Sequence, residues 1–537
     1  MKSRARLLIA AYLTVAILSS LSGAFPKVKY MLLMTIIYSI GAAATEYTRE
    51  KKRKPTLNVE ATKRSTSIYY LFIFLVCFTI RSIPEVIWWP WLIGFDTPVY
   101  VGYLKQYVEN PTFLTPTFYR EKKIPPPLLE VILLPLVKAG ASPWSIYKVL
   151  PAILYGAHGA AATYYISEIL KLHPRSAALA SIILHLQLGS LRISQDLHRN
   201  MLGNIILLYT IPQLKKGKSK TIAALTALTA LSHQLPLVQL LILIAAETIF
   251  KRNKKFIPSL AIATLLLLVY ATPIRNELIT KELEKSISEY WKKEKLLSNR
   301  TKADLMRTIL SYILAWYWNI LPLSILRARK LPRLHAIYLI STLSLVFLPI
   351  LSENISFATT WGRWCLQLCI PLAMASAAEA IEDKLTFILL LIHLSAITLP
   401  LACGESKFLL NIPFKPTLYG YPTMKPSLPP EIQLQILQAS IWIREHYDSK
   451  RYILILNTEI YNTLNINLEN KGQIIALPPG YLRKDNLHFV VDNIMKTSGD
   501  RKILILVSWE DKRRWLHEVY TDIGVHLYEV VPTGIRS

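Results

Sequence analysis

The sequence predicts a polytopic α-helical membrane protein with about 13 transmembrane helices and a C-terminal extracytoplasmic α/β domain. The first observation is composition: 52% of the 537 residues are hydrophobic and 18% are charged, with a mean hydropathy of +0.32. The second is that apolar residues come in long blocks rather than in amphipathic stripes. The third is a change after Cys403, where β-rich runs alternate with helical stretches. This pattern excludes a disordered chain and an ordinary soluble enzyme.

The net charge of +27 is distributed unevenly. Such a charge would suit nucleic acid, but residues 403–537 carry 16 basic and 14 acidic groups, so nearly all of the excess belongs to the apolar part. Its basic residues cluster at 49–54, 215–220, 251–255 and 327–333. Cytoplasmic loops of membrane proteins are rich in Lys and Arg. We therefore expect a cell-membrane protein with a cytoplasmic N-terminus, a lipid bilayer as its environment and no nucleic-acid partner.

The apolar blocks define a membrane domain over residues 1–402, with a large outer loop at 84–143. The apolar piece 125–140 would put the later basic clusters on the wrong side if it were a full span, so we interpret it as a re-entrant or interfacial helix. The thirteen expected spans are 7–22, 29–45, 68–83, 144–171, 176–191, 201–214, 221–233, 235–250, 256–272, 307–326, 334–351, 364–381 and 385–402.

A Pro-rich linker at 403–428 leads to the expected α/β domain at 429–537. A helix is predicted at 430–447, and strands are predicted at 452–457, 473–477, 503–508 and 527–531. The domain has no Gly-rich phosphate loop and no metal-spaced His/Cys set. We therefore expect a lid, a scaffold or a platform for an acceptor.

Two further features have simple interpretations. The sequence of the charged loop 273–306 predicts a solvated amphipathic helix that lies on the membrane. The alternative is that this helix is a mobile cover over a cavity. The four cysteines are too scattered for a disulfide framework or a zinc site, and we expect them to be packing residues.

Asp96 is the most informative residue of the large outer loop. It follows three tryptophans that suit the membrane interface, and an ionisable group beside the hydrocarbon boundary is costly unless it is paired or used. The sequence Asp-Thr-Pro is also a good helix N-cap. The two interpretations are compatible, because a capping carboxylate can also face a substrate.

A second polar segment lies between two apolar helices at 190–203. It contains Arg192, Asp196, His198, Arg199 and Asn200 at the end of a span, on the side that the basic clusters predict to be outside. These groups are candidates for substrate binding. The alternative is a loop held by ion pairs, with Asp196 neutralised by one of the two arginines.

Further candidates lie on the same predicted side. Arg363 begins a late span, where its guanidinium could fork onto a lipid phosphate or extend to ordinary headgroups. Lys122 and Lys123 precede the short helix and could face anionic lipid or substrate. His233 interrupts a pair of spans, where a lone histidine is more often a hydrogen-bonded core residue.

Taken together, these motifs resemble the GT-C superfamily of integral-membrane glycosyltransferases, which take sugars from polyprenyl-phosphate donors. The motifs are Gly-Phe-Asp96-Thr-Pro-Val-Tyr100, Pro-Pro-Pro-Leu-Leu at 125–129, the polar segment 196–200, Ser-His233-Gln, Trp-Gly-Arg363-Trp, Ile-Pro-Leu at 370–372 and Ala-Ser-Ile-Trp-Ile-Arg at 439–444.

The resemblance implies an enzyme that moves a hexosyl or pentosyl group to a glycan, lipid or protein acceptor on the outer face. The resemblance also implies that Asp96 is a general base or a metal ligand. No cofactor is therefore certain, and a divalent metal bound by Asp96 is one alternative. The groups expected to bind substrate are Tyr100, Lys122, Lys123, Asp196, His198, Arg199, His233 and Arg363.

The chain departs from the oligosaccharyltransferases of this fold. Asp196 stands alone where they have paired acids, and Trp442, Trp509 and Trp515 are not adjacent in the outer domain. Transfer of a single sugar is therefore favoured over transfer of whole oligosaccharides, which stays an alternative. A lipid or solute transporter and a non-catalytic GT-C-like scaffold are the others, although a transporter is expected to place its ionisable residues near the bilayer midplane.

Overall fold

The computed structural model describes residues 66–531 except for 110–120, 123–125, 253, 272–273, 276–279, 295–301, 352–360, 404–423, 449–450, 465–472, 478–480, 512, 514 and 523–524. The two spans expected at 7–22 and 29–45, the residue Lys123 and most of the linker 403–428 lie outside these residues.

The described elements are mostly helices. In chain order the first half contains α1 (Thr66–Ile87), α2 (Thr97–Glu109), β1 (Glu121–Lys122), α3 (Leu128–Lys138), α4 (Pro143–Ile169), α5 (Pro174–His185), α6 (Leu188–Asp196), α7 (His198–Lys216), α8 (Ser219–Ser232), α9 (Gln234–Lys251) and α10 (Ile257–Ala271). The second half contains β2 (Ile274–Arg275), α11 (Lys281–Glu294), α12 (Lys302–Tyr317), α13 (Leu321–Arg327), α14 (Arg333–Val346), α15 (Leu348–Leu351), α16 (Trp361–Ala380), α17 (Lys384–Ala402), α18 (Pro430–His446), β3 (Tyr452–Asn457), α19 (Thr458–Leu464), β4 (Gln473–Leu477), α20 (Leu487–Ser498), β5 (Lys502–Val507), β6 (Leu516–Asp522) and β7 (Val525–Val530).

The chain forms two compact units. Unit 1 comprises residues 1–87, 149–267 and 299–424, and unit 2 comprises residues 88–148, 268–298 and 425–537. Unit 1 thus contains most of the apolar spans, whereas unit 2 joins two long loops of the membrane domain to the C-terminal part. The sequence predicts domains at 1–402 and 429–537, and it does not predict that residues 88–148 and 268–298 belong to the unit of the C-terminal domain.

Unit 1 is a helical bundle in which α16 packs against α5, α6, α13 and α14. The second half of α16 is rich in alanine, and small residues allow helices to approach closely in an apolar environment. Cys365 and Cys369 lie buried on this helix and Cys77 lies buried on α1. These three cysteines agree with the expectation of packing residues, whereas Cys403 is exposed and does not.

Three described helices are long and apolar enough to cross a membrane: α1 from Ser67 onward, α9 and α17. Two bent helix pairs raise the number to five if each pair is one span: α5 with α6, bent by 72°, and α12 with α13 and the turn that follows it, bent by 91°. The spans expected at 176–191 and 307–326 are therefore both interrupted by a bend, as in a broken span or a re-entrant loop. The count of 13 stays a prediction.

Unit 2 is built on a five-stranded sheet in the order β4-β3-β5-β7-β6. The strands β3, β4 and β5 are parallel, while β7 runs antiparallel to β5 and β6 antiparallel to β7. One face packs against α20 and α11, and the other packs against α18 and α19. The small α/β domain that the sequence predicts is therefore present. Its extracytoplasmic location stays a prediction.

The helix α11 corrects the expectation for loop 273–306. Leu283 and Ile287 are buried in the core of the sheet domain rather than solvated on a membrane. Thr280 donates a hydrogen bond to Asn493 at 2.8 Å, and the Tyr481 hydroxyl donates one to Ser286 at 2.8 Å. The apolar stripe of this charged helix thus packs against the C-terminal domain.

The piece 125–140 contains a helix, α3, of 11 residues. At 1.5 Å per residue such a helix is about 16 Å long, roughly half the thickness of the hydrocarbon core. Its length agrees with the interpretation as a re-entrant or interfacial helix.

Candidate active site

Three helices of unit 1 begin at residues that the sequence marks as candidates. Arg199 is the second residue of α7, His233 is the N-cap of α9, and Arg363 is the third residue of α16. The N-terminal end of a helix carries partial positive charge and amide groups that point outward. These three segments therefore have the elements of an anion-binding site.

Close packing joins the three helix starts. A Cβ atom at Gly203 would lie 2.8 Å from Pro236 and 3.5 Å from the Cβ of His233, so glycine allows α7 to approach the start of α9. The side-chain amide of Gln367 on α16 donates to Asn200 Oδ1 on α7 at 2.7 Å. Neither Gln367 nor the α7–α9 contact is recognisable from local sequence.

The electrostatics of His233 link the two arginines. The charges of Arg363 and Arg199 both act on its ring, so each of the two arginines lies within electrostatic range of His233. His233 Nδ1 accepts a hydrogen bond from the amide of Leu235 at 3.1 Å. A neutral ring therefore carries its proton on Nε2, which is a hydrogen-bond donor.

Asp196 is buried and forms an ion pair with Arg192 one helical turn earlier. The structure therefore favours the alternative in which an arginine neutralises this carboxylate, while the role expected for Asp196 in substrate binding stays a prediction. His198 is also buried, and the charges of Arg81 and Asp196 act on its ring. The polar segment is thus an internally compensated structure rather than a set of solvated side chains.

Two residues of this region were not among the sequence candidates. Arg81 on α1 is fully buried, lies 2.8 Å from Glu85 in an ion pair, and donates from Nε to the Ser194 carbonyl at 3.3 Å. The spacing of four between Arg81 and Glu85 within an apolar helix is a signal that sequence reasoning could have used.

Asp96 lies in unit 2, directly before α2. Its carbonyl accepts a hydrogen bond from the amide of Tyr100 at 3.2 Å, which is the backbone geometry of a helix N-cap. The side chain is half-buried. Two residues earlier, the amide of Gly94 donates to the Lys425 carbonyl at 3.2 Å and fixes the segment to the C-terminal part of the same unit.

Tyr100 and the lysines complete the predicted set. The ring of Tyr100 is buried and stacks on Tyr147, with 6.0 Å between ring centroids. Lys122 lies on β1, which pairs with β2 in unit 2, and nothing is described of its side chain. Asp96, Tyr100 and Lys122 thus belong to unit 2, whereas Asp196, His198, Arg199, His233 and Arg363 belong to unit 1.

The described residues contain no group of three or more His, Cys, Asp or Glu side chains arranged to hold a metal ion. The divalent metal named as an alternative stays a prediction.

No family model matches this chain. No curated protein matches it either. Several solved structures resemble it. One is ArnT from Cupriavidus metallidurans bound to undecaprenyl phosphate, with a TM-score of 0.49, 11% identity, and coverage of 87% of this chain and 99% of that chain.

Two other solved structures are transferases as well. The Archaeoglobus fulgidus oligosaccharyltransferase in the apo form has a TM-score of 0.48 and 11% identity, with coverage of 82% of this chain and 69% of that chain. The arabinofuranosyltransferase AftD from Mycobacteria has a TM-score of 0.45 and 13% identity, with coverage of 89% and 40%. At these TM-scores the likeness carries no argument about activity. The GT-C superfamily that the sequence motifs predict therefore stays a prediction.

Proposed function

We propose that this protein is a membrane glycosyltransferase that moves a single sugar from a polyprenyl-phosphate donor to an acceptor on the outer face of the membrane. The observation that carries the proposal is the meeting of the starts of α7, α9 and α16, with Arg199, His233 and Arg363 on them. Two guanidinium groups and a histidine N–H donor suit a phosphate group.

The chemistry needs a stabilised leaving group. The bond between the sugar C1 and the phosphate oxygen breaks through an oxocarbenium-like transition state, and the polyprenyl phosphate leaves with the bonding electrons. Negative charge then grows on the phosphate, where Arg199 and Arg363 stabilise it more strongly in the transition state than in the ground state. Helix starts add fixed partial charges that need no reorganisation.

The acceptor needs a base. As its hydroxyl oxygen forms the new bond to C1, its proton passes to a carboxylate, for which we propose Asp96. The N-cap position supports this role, because the positive end of α2 favours the ionised carboxylate. Tyr100 contributes by packing the first turn of α2.

The remaining site residues have supporting roles in this proposal. Asp196 balances Arg192, and His198 fills the buried start of α7. Lys122 and Lys123 remain proposed contacts for anionic lipid or the donor phosphate. Transfer to a glycan, a lipid or a protein is compatible with this machinery, and so is the transfer of a hexosyl or a pentosyl group.

The proposal is tested by deleting the gene and analysing lipid-linked sugars and cell-surface glycans by mass spectrometry. We expect one polyprenyl-phosphate sugar to accumulate and one sugar to disappear from a surface glycan, with both changes reversed by the wild-type gene but not by an Asp96→Asn variant. Unchanged lipid-linked sugars and glycans after deletion would refute the proposal.

A lipid transporter is the second candidate, because the bends between α5 and α6 and between α12 and α13 are broken spans of the kind that transporters use. The two functions differ in their products. Purified protein in liposomes with a fluorescent polyprenyl phosphate would move the label between leaflets if it were a transporter. A glycosyltransferase leaves the label in place and changes only the sugar.

A further inference from the structure

The buried ion pair between Arg81 and Glu85 has no evident role in stability. The side chains are 0% and 7% exposed and the charged atoms lie 2.8 Å apart. The loss of hydration on burial offsets most of the attraction within such a pair. Within the described part of the chain, Arg81 Nη2 has no hydrogen-bond partner, which costs further free energy.

Arg81 also reaches the C-terminal end of α6. Its Nε donates to the Ser194 carbonyl, a contact that joins residues 113 positions apart in the chain. The last carbonyls of a helix have no donor within that helix. In an uninterrupted helix the amide of His198 would serve Ser194, but α6 ends at Asp196 and α7 begins two residues later.

The charge of Arg81 also suits this position. A cation is favourable at the negative end of a helix, and Arg81 therefore acts as a C-terminal cap of α6 that is supplied by α1. The same charge acts on the ring of His198, on the other side of the break. Glu85 compensates the guanidinium inside the bundle.

We propose that Arg81, balanced by Glu85, is a positioning residue of the anion site, an inference that rests on the proposed function. It fixes where α6 ends, and this determines where α7 begins and where Arg199 points. Arg81 contacts only protein groups in this role. Its effect on transfer passes through the segment 190–200.

The pair can be removed without leaving a buried charge. In R81M/E85M both charged side chains become unbranched apolar ones, and the replacement of a buried ion pair by apolar residues is often neutral for stability. The control is R333M/E247M: Arg333, which is 49% exposed, and the fully buried Glu247, which also pairs with Lys251, form an ion pair at 2.7 Å on α14 and α9, away from the segment 190–200. Hydrogen exchange of the peptide 190–200, thermal unfolding, sugar transfer and binding of undecaprenyl phosphate are measured on the full chain in detergent.

We expect R81M/E85M to unfold at a temperature close to that of R333M/E247M but to exchange faster in the peptide 190–200. Transfer falls by about 10²-fold, the size of effect that a displacement near 1 Å produces, and undecaprenyl phosphate binds more weakly. The control keeps wild-type exchange, transfer and binding.

A second variant keeps the inference testable if the double variant does not fold. R81K keeps the charge beside Glu85 but lacks the planar fork that serves both partners, so we expect exchange and transfer between those of wild type and R81M/E85M. Wild-type exchange and transfer in folded R81M/E85M, or in R81K where the double variant does not fold, would overturn the inference. If the wild type transfers no sugar, the proposed function fails, while faster exchange in the variants still supports the positioning of 190–200.

Discussion

Replacing Arg363 by alanine tests the anion site directly. The side chain is half-buried at the third position of α16, so its charge is only partly screened by water. A hydrogen bond to a charged group contributes about 1.5–3 kcal/mol, and 1.4 kcal/mol corresponds to about a factor of ten. We therefore expect R363A to bind undecaprenyl phosphate about 10- to 150-fold more weakly. Binding persists, because Arg199 and the other two helix starts remain.

The assay is equilibrium binding of labelled undecaprenyl phosphate to purified protein at two salt concentrations. R363K keeps the charge but not the fork, so its loss is smaller, about tenfold or less. Arg307 supplies the control: it is 82% exposed and lies 3.7 Å from Asp304 in a surface pair, so R307A binds like the wild type. Equal affinities in R363A and R307A would refute the assignment of Arg363 to the phosphate.

The remaining predictions concern unit 2. Asp96→Asn lowers transfer by about 10²–10⁴-fold, the range of a general base, and leaves binding of undecaprenyl phosphate unchanged; a variant with wild-type turnover would contradict the role of Asp96. Ile287→Ala lowers the free energy of unfolding by about 2–5 kcal/mol, and an unaltered thermal transition of the full chain would show that α11 does not pack on the sheet. Burial favours the neutral form of Glu529, but hydrogen bonds from Lys502 and Tyr447 outweigh it and hold its pKa below the ordinary 4.5. Its stabilising contribution is thus complete above pH 4.5 and is lost as the pH falls through the lowered pKa, so Glu529→Gln reduces the loss of thermal stability on acidification.

The fold of the C-terminal domain was largely predictable because its strands are buried. Four runs of β-branched and apolar residues predict strands, and the structure has β3, β4, β5 and β7 at nearly the same positions. The strand β6 escaped prediction. It lies at the edge of the sheet with most of its residues at least partly exposed, so its sequence LHEVYTD has little apolar periodicity.

The candidate site was predictable only in part. Arg199 and Arg363 stand out in the sequence as cations at the ends of apolar spans, and His233 stands out as a polar residue that interrupts a pair of spans. The contact from Arg81 to Ser194 crosses 113 positions, and no local pattern encodes a contact of that range. The membership of α11 in unit 2 is equally non-local, because its apolar stripe would look the same on a membrane surface.

The residue before α7 breaks a local rule. Leu197 occupies the N-cap and makes no side-chain capping bond, although leucine is among the poorest residues at this position. A Ser or Asp cap would stabilise the helix by about 1 kcal/mol, but its oxygen would accept from the amides of the first turn and, for Asp, place a negative charge there. The first amides of α7 then could not serve an anion. Departures from local rules are expected at functional sites, so the missing cap, the break after α6 and the buried pair of Arg81 and Glu85 are explained together: none of them adds stability, and together they fix the start of α7 and leave its first amides without a side-chain cap.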